Sequence, residues 1–306
     1  MGYTVTGLTQ YVETNKDVLI KNLVLGLQRG DTIRNCRKQL GIKTKERLNY
    51  LDVDPVLQDG SNCGFSASGS TAFSERDIET AQFKAQDQYC DKDLLNKFTQ
   101  YAVKISADKD ASDMPFEAEI MNEIVEKINE KMEKLVWQGD KTGNSDLIDG
   151  FLTIALNADS ASTITVTGSS ATSMYARVQA TIMAIPEEWL DKAVVFMSPA
   201  SYRKLLFELV EKNLYHFPVG AEIEDKDVYF PGSEVRIHKT LGLKGVDMFY
   251  TSIWDNMVYG ADLENDQEKI RFWYDDNSEL YKYSIHWNAG VSTLYPDAVI
   301  VSDFSA

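Results

Sequence analysis

Histidine and cysteine are scarce in this chain, with three of each among 306 residues. Cys36, Cys63 and Cys90 lie far apart, are odd in number and make no Cys-x-x-Cys or Cys/His ligand spacing. Neither a disulfide framework nor a zinc site is supported, and free thiols in a reducing compartment are expected. His216, His238 and His286 have no carboxylate or cysteine partner at a telling spacing, so none is assigned an acid–base role. His238 and His286 are expected on the polar faces of strands containing Val235/Ile237 and Ile285/Trp287. No apolar run approaches the roughly 20 residues of a membrane span, and no membrane partner is expected. Met1-Gly2-Tyr3-Thr4-Val5-Thr6 has neither the basic nor the apolar region of a signal peptide, so the expected compartment is a cytoplasm. Positive charge is also in deficit: 31 Lys and Arg face 47 Asp and Glu, for a net charge of −16. That balance argues against a protein whose main task is gripping nucleic acid.

Three kinds of loop invite a functional reading, and each lacks an essential part. Gly139-Asp140-Lys141-Thr142-Gly143-Asn144 follows a helix and contains no Gly-Lys-Ser/Thr, so it reads as a helix stop and not a phosphate cradle. Met197-Ser198-Pro199 lies at a strand-to-helix turn, but Phe196 and Ala200 occupy the two glycine positions of a nucleophile elbow. Ser198 is therefore read as an N-cap, with proline at the first helical position. The acidic turns Glu222-Ile223-Glu224-Asp225 and Asp275-Asp276-Asn277-Ser278-Glu279 lack the alternating oxygen ligands and glycine of a calcium loop and read as solvated. No catalytic, cofactor-binding or metal-ligating residue is assigned, and no cofactor is expected.

What the chain does have is a long amphipathic helix over residues 115–137, with Asp113 as its N-cap. Ile120, Met121, Ile124, Val125, Ile128, Met132, Leu135 and Val136 recur at helical spacing, while Glu119, Glu123, Glu126, Lys127, Glu130, Lys131 and Lys134 fill the other face. Some 22 residues at 1.5 Å each span about 33 Å, the width of a small domain. The rest of the chain must pack on this spine.

Ahead of it, residues 8–47 read as helical: Val18, Leu19, Leu23 and Leu27 share a face, and a second helix from Asp31 carries Ile33, Cys36 and Leu40 until Gly41 closes it. Positions 29, 34, 37, 38, 43, 45 and 47 are basic against Asp31 and Glu46. In an acidic protein this reversal marks either a basic arm reaching acidic neighbours or enclosed nucleic acid, or a solvated helix face. Residues 48–92 read as one long hairpin. Leu51 and Val53 alternate outbound, and Ala81, Phe83, Ala85 and Tyr89 alternate inbound. Between them runs a glycine- and serine-rich tip with one lone aromatic, Phe65. So long a loop is uncommon inside a compact domain, and a lone two-stranded ribbon is marginal in water. Such an arm is expected to lie against another subunit.

Residues 94–105 read as a short helix. Beyond the spine the texture becomes alternating. Strands are expected at 151–156, 163–167 and 193–197, and helices at 174–185 and from Pro199 with Tyr202, Leu205, Leu206, Leu209 and Val210 on one face. Strands are expected again at 228–230, 235–238, 246–251, 257–259 and 270–274. A final alternating strand, Tyr281 to Asn288, is expected to break or bend at Ala289-Gly290 before a buried strand at 299–301.

In this order the pieces resemble the major capsid proteins of tailed bacteriophages, the HK97-type fold. The resemblance rests on Trp137-Gln138-Gly139-Asp140-Lys141-Thr142 leading to Asp149-Gly150-Phe151-Leu152. It rests also on Val195-Phe196-Met197-Ser198-Pro199-Ala200-Ser201-Tyr202, and on Asn288-Ala289-Gly290-Val291 with Pro296-Asp297-Ala298 after it. It implies an α+β fold divided into an N-terminal arm (1–47) and an extended hairpin loop (48–92). A peripheral domain (93–150 with 264–306) would hold the spine, and an axial domain (151–263) would complete the subunit. It further implies a non-enzymatic structural subunit of the virion, assembled in the bacterial host cytoplasm. The implied partners are the chain itself, in hexamers and pentamers of an icosahedral shell, and scaffolding, portal and decoration proteins. Double-stranded DNA would be enclosed without sequence-specific binding. An encapsulin-like nanocompartment shell enclosing cargo protein is a second reading, and a small-molecule enzyme on the α/β module a third. On the first reading Phe65 anchors the loop on a neighbour. A Phe65→Asp variant is then expected to lose assembly, which light scattering would register.

Overall fold

The computed structural model describes residues 13–16, 18–19, 31–54, 56–57, 69–90, 116–144, 146–169, 172–214, 228–262 and 270–304. In chain order the elements are α1 (Asp31–Asn35), β1 (Arg37–Leu40), β2 (Lys45–Asp54), β3 (Ser70–Glu79), β4 (Ala81–Cys90) and the spine helix α2 (Phe116–Gln138). Then come β5 (Ile164–Thr167), α3 (Met174–Met183), β6 (Val194–Met197), α4 (Pro199–Glu211), β7 (Val228–Tyr229), β8 (Arg236–Lys239) and β9 (Met248–Ser252). Last are β10 (Met257–Ala261), β11 (Ile270–Asp275), β12 (Leu280–Thr293) and β13 (Ile300–Asp303).

The spine buries Met121, Ile124, Val125, Met132 and Val136, as its apolar spacing predicts. Two polar residues, Asn129 and Glu133, are buried with them. The helix stops where two glycines meet. Gly150 N–H donates to Gly139 O at 2.8 Å. A Cβ on Gly139 would lie 2.5 Å from Ile148 O, and one on Gly150 2.5 Å from the Trp137 carbonyl carbon. Carboxylates fold the intervening loop. Asp140 Oδ1 accepts from the Thr142 and Gly143 amides, Asp146 Oδ2 from Asp140 N–H, and Asp149 Oδ1 from Lys141 N–H. The glycine loop is structural, as expected.

The segment after Gly150 is not the expected strand. Phe151–Thr153 is one helical turn that continues into a π-type turn at Ile154–Ala158. Gly150 brings the chain so close to the end of the spine that Phe151, Leu152 and Ala155 bury as neighbours on a helical turn. Tertiary packing here overrides the strand propensity of the apolar run.

The spine end organises two sheets. Trp137 is fully buried and packs against Phe196, Tyr250 and Phe151, with ring centroids 5.1, 5.3 and 5.7 Å away. Its Nε1–H donates to Thr32 Oγ1 at 2.7 Å. One turn earlier, Glu133 Oε1 accepts from Thr32 N–H at 3.1 Å and from Thr240 Oγ1–H at 2.9 Å. The six-stranded sheet has the order β5-β13-β9-β6-β8-β7. Val194, Phe196, Tyr250 and Val301 face the spine, while Val195, Met197, Ile237, Phe249 and Ile300 face α3 and α4. Because both faces are covered, strict polar alternation does not apply. His238, expected on a polar face, is buried between Phe196 and Trp254. His286 does face outward.

The five-stranded sheet is built on β12. One edge pairs with β11 through residues 280–285 and with β10 through 289–293, and the opposite edge pairs with β4 through 280–289. β12 therefore runs unbroken past Ala289-Gly290, which excludes the first of the two expectations, a break or a bend. Gly290 is needed for another reason: a Cβ there would lie 2.0 Å from Glu79 O. Inward residues Phe83, Ile270, Phe272, Tyr283, Ile285 and Trp287 cover the spine. Strand pairing crosses the division expected at 263/264, since β10 joins this sheet and β13 the six-stranded one.

The N-terminal reading also changes. The helix from Asp31 ends at Asn35, and Arg37–Leu40 is a strand parallel to β10. Leu40, expected on the apolar face, is 47% exposed. Leu19 is buried and Val18 exposed. Asp113, Leu23, Leu27, His216, Phe65, Cys63, the 94–105 helix and the 222–225 acidic turn lie outside the described residues. Replacing Trp137 by Phe removes the Thr32 bond and ring volume at the hub. The expected cost is about 2–4 kcal/mol in urea unfolding, with Leu135→Ala, at a half-buried position, costing less.

Candidate assembly surfaces

The feature most unlike a self-contained domain is the ribbon of β2 and β3, paired antiparallel from Lys45↔Glu79 to Asp54↔Ser70. The hairpin expected over 48–92 has β4 as its inbound leg. Instead Thr80 turns the chain, and β4 joins β12 as a strand of the body. The alternation of Ala81, Phe83, Ala85 and Tyr89 is thus the signature of a sheet covering the spine. The ribbon's inbound strand is the less conspicuous Ser70–Glu79.

Among the described residues, the ribbon's contacts with the body lie at its root. Leu48 and Ile78 pack with Ile42, Val258 and Leu294 in a small core of their own, and Tyr50 meets Tyr295 edge to face at 5.0 Å. Backbone approaches backbone at Gly290, and Ser292 Oγ–H donates to Asp77 O at 3.2 Å. Arg76 Nη2 donates to both Asp159 oxygens, at 2.8 and 2.6 Å, and Thr293 Oγ1–H donates to Asp159 Oδ2 at 3.0 Å. The two side chains of this pair are 20% and 8% exposed, so neither charge can be left alone cheaply. Asp159 comes from the turn after the π-type segment, which gives that unforeseen turn a purpose.

On the outer side of the root, Lys45 Nζ lies 2.8 Å from Asp77 and 3.3 Å from Glu79, and Arg47 lies 2.7 Å from Glu75. Lys141 of the spine-end loop reaches Glu79 at 3.5 Å. The Lys45 ammonium holds both Asp77 and Glu79 below the ordinary carboxylate range, and hydrogen bonding to Asp77, then Glu79, raises Lys45. Two of the seven bases noted in the sequence are therefore ribbon partners and not a helix face.

A second outward feature lies on α4. Ser198 Oγ accepts from Ser201 N–H as its N-cap, and Tyr202, Leu205 and Leu209 are buried. Val210, expected on the inner face, is 58% exposed together with Phe207 and Leu214. Phe207 and Val210 lie at helical spacing on α4, and Leu214 follows after the helix has ended at Glu211.

Ser198 Oγ–H donates to Ser201 Oγ at 2.9 Å, a capping arrangement and not a nucleophile–base pair. Asp275 caps its own turn, accepting from Asn277 N–H, Ser278 Oγ–H and Lys282 Nζ–H; the lysine above all lowers its pKa to about 2. Cys36 is buried, and burial first and Glu133 second push its thiol well up. Among the described residues no group of three or more His, Cys, Asp and Glu is placed to hold a metal, and no helix is long and apolar enough to cross a membrane. Sequence reasoning missed Glu133, Arg76 and Asp159. Glu133 had a signal: with Asn129 and Trp137 it falls at four-residue spacing on one helix face.

The root ion pairs set a pH response. Asp77 and Glu79 have lowered folded pKa values, so their contribution is present above the ordinary carboxylate pKa of about 4 and fades as pH falls through the lowered values. Lys45, being raised, contributes until pH climbs past its raised value. Hydrogen exchange in β2 and β3 is thus expected to be slow at neutral pH and to speed up, after correction for intrinsic rates, as pH falls below the ordinary carboxylate pKa of about 4. Lys45→Ala should flatten that response.

No protein-family model matches the chain, and no curated protein matches it in sequence. Solved structures do. A chain of the satellite phage P4 procapsid that includes the size determination (Sid) protein aligns with TM-score 0.63 and 10% identity, over 100% of this chain and 92% of that one. The capsid of an empty GTA particle aligns with TM-score 0.58 and 11% identity, over 90% of each chain. The SrpI encapsulin of Synechococcus elongatus aligns with TM-score 0.58 and 11% identity, over 89% and 86%. The first of these alignments takes in the spine, the ribbon and both sheets: the chain has the HK97-type capsid fold.

Proposed function

We propose that this protein is the structural subunit of a closed shell: the major capsid protein of a tailed phage. It would assemble with itself into hexamers and pentamers of an icosahedral head that encloses double-stranded DNA. The observation that carries the reading is the end-to-end likeness to a procapsid chain, 100% of this chain against 92% of that one. A likeness that omitted the ribbon or either sheet would leave room for a different use of the α/β part. The ribbon adds a physical reason. Two strands fixed at one end are marginal alone in water, so the distal part is stabilised when it lies on a neighbour. The body around the spine and five-stranded sheet would be the peripheral domain. The six-stranded sheet with α3 and α4 would be the axial domain, with the exposed Phe207, Val210 and Leu214 available to contacts near the local symmetry axis.

The acidity of the chain, net −16, fits DNA that is confined by the shell and not bound tightly by it. Portal, scaffolding and decoration proteins belong to the same reading. An encapsulin-like nanocompartment is the second reading, favoured by the alignment with the SrpI encapsulin. The two differ in what is inside.

Purified protein is expected to form capsomers or closed shells by light scattering and negative-stain microscopy, in a salt-dependent manner. A strictly monodisperse monomer under every condition, with and without co-expressed neighbouring genes, would overturn the shell reading. Nuclease-protected double-stranded DNA in particles from the native source supports the phage head, whereas a stoichiometric protein cargo supports the nanocompartment.

A further inference from the structure

The solvent face of the five-stranded sheet carries a groove to which the shell reading gives no role. Cross-strand partners lie on one face of a sheet, and the register sets Gln88, Lys282 and Trp273 in one row across β4, β12 and β11. Gln86 and Ser284 stand in the next row. The alternate residues Phe83, Phe272, Tyr283 and Ile285 cover the spine, so both rows point away from it. The groove has a volume of about 370 Å³ and is lined by Gln86, Asp87, Gln88, Trp273, Lys282 and Tyr283. That volume falls in the range of ligand sites. Trp273 is 40% exposed there. A tryptophan on a strand surface is ordinary by itself, because its ring packs well on a pleated sheet. The groups placed around this one are what suggest a ligand.

Gln86 Nε2–H donates to Ser284 Oγ at 2.9 Å, and the same hydroxyl lies 2.8 Å from His286 Nε2. Ser284 is buried. One amide of the groove is therefore held in place before any ligand arrives, which lowers the cost of binding. The one cation among the lining residues, Lys282, donates to the Asp275 carboxylate and is offset by it. What is left is a flat indole ring beside two amides, each with a donor and an acceptor side by side. Such a set suits a neutral ligand with an apolar face and a rim of hydroxyls. A pyranose ring has both: its C–H groups stack on the indole, and neighbouring hydroxyls pair with an amide. We infer that this groove binds a neutral saccharide, with Trp273 as the stacking platform and Gln86 and Gln88 as the groups that read hydroxyls. A nucleobase would stack as well, but it brings phosphate to a groove with no uncompensated cation, on a chain carrying −16. The site lies within one copy and does not rest on the shell reading. A closed shell would repeat it many times and raise its avidity.

Saturation-transfer NMR on the full chain tests it, since that method reads weak binding by monomers and particles alike. The probes are maltohexaose, cellohexaose and chitohexaose, with hexathymidylate as the anionic control. At least one hexasaccharide is expected to bind with a Kd of about 1 mM or tighter. Trp273→Ala, checked for folding by circular dichroism, is expected to weaken that binding about tenfold or more, and Trp273→Tyr, which keeps a ring, by less than about threefold. Gln88→Ala, at an exposed position, is expected to weaken it severalfold and serves as the second variant should Trp273→Ala fail to fold. Absence of binding by all three hexasaccharides up to about 10 mM overturns the inference. Binding that neither Trp273→Ala nor Gln88→Ala changes does the same. Hexathymidylate binding that Trp273→Ala abolishes also overturns it and makes the groove a nucleic-acid site. Each of these results leaves the shell reading standing, because assembly is read separately by light scattering.

Discussion

The buried end of the spine helix is the constraint on which the rest depends. Within one helical turn Trp137 and Glu133 take hold of Thr32 from the N-terminal segment and Thr240 from the strap after β8. Three parts of the chain, more than 100 residues apart in sequence, are pinned at one point. The choice of groups matters. An apolar contact tolerates sliding, because burial is non-directional. Here a fully buried carboxylate oxygen accepts from a backbone amide and a hydroxyl, and an indole N–H donates to that same threonine. Losing one partner leaves a buried polar group without compensation, so a single arrangement is selected. The two glycines at 139 and 150 then let the chain turn back tightly enough for Phe151 to complete the aromatic cluster.

Fixing that hub also fixes the ribbon. The π-type turn beginning at Ile154 ends at Asp159, and Asp159 is the carboxylate that holds Arg76. The ribbon's direction is thus tied through one short segment to the end of the spine. A subunit whose arm must meet a neighbour at a set place gains from such a link, since an arm of ten paired residues magnifies a small error at its root into several ångströms at its end.

How much of this is legible in the sequence depends on the range of each interaction. The spine is legible to within one residue, because its periodicity is local and long. The Ser198 cap and Pro199 are legible for the same reason. A strand at Phe151 is the wrong reading because two glycines meeting across 11 residues outweigh the propensity of the residues between. The helix expected through Leu40 fails because β1 exists by pairing with β10, over 200 residues away. β4 is an alternating strand in the sequence and in the structure, but with a different partner, since alternation reports a half-buried face and not which strand lies alongside. Asp159 and Arg76 carry no pattern that could link them. Glu133 does, as the middle member of a polar and aromatic line down the apolar face.

The distribution of charge fits the assembling subunit proposed above. A net charge of −16 makes copies repel at long range, which keeps subunits apart until a specific contact forms. Hydrophobic area alone would then have to overcome that repulsion without fixing a register. Local reversals of sign supply what uniform acidity cannot. At the ribbon root Lys45 and Arg47 neutralise Glu75, Asp77 and Glu79 within the subunit. Along β1 the remaining bases stay uncompensated among the described residues. A surface that is attractive only at a few charged points and repulsive elsewhere favours one geometry of approach over many. It also makes association sensitive to ionic strength, since screening weakens long-range repulsion and short-range pairing to different degrees. Selective attraction of this kind suits a shell subunit, which must find the same neighbours many times and no others.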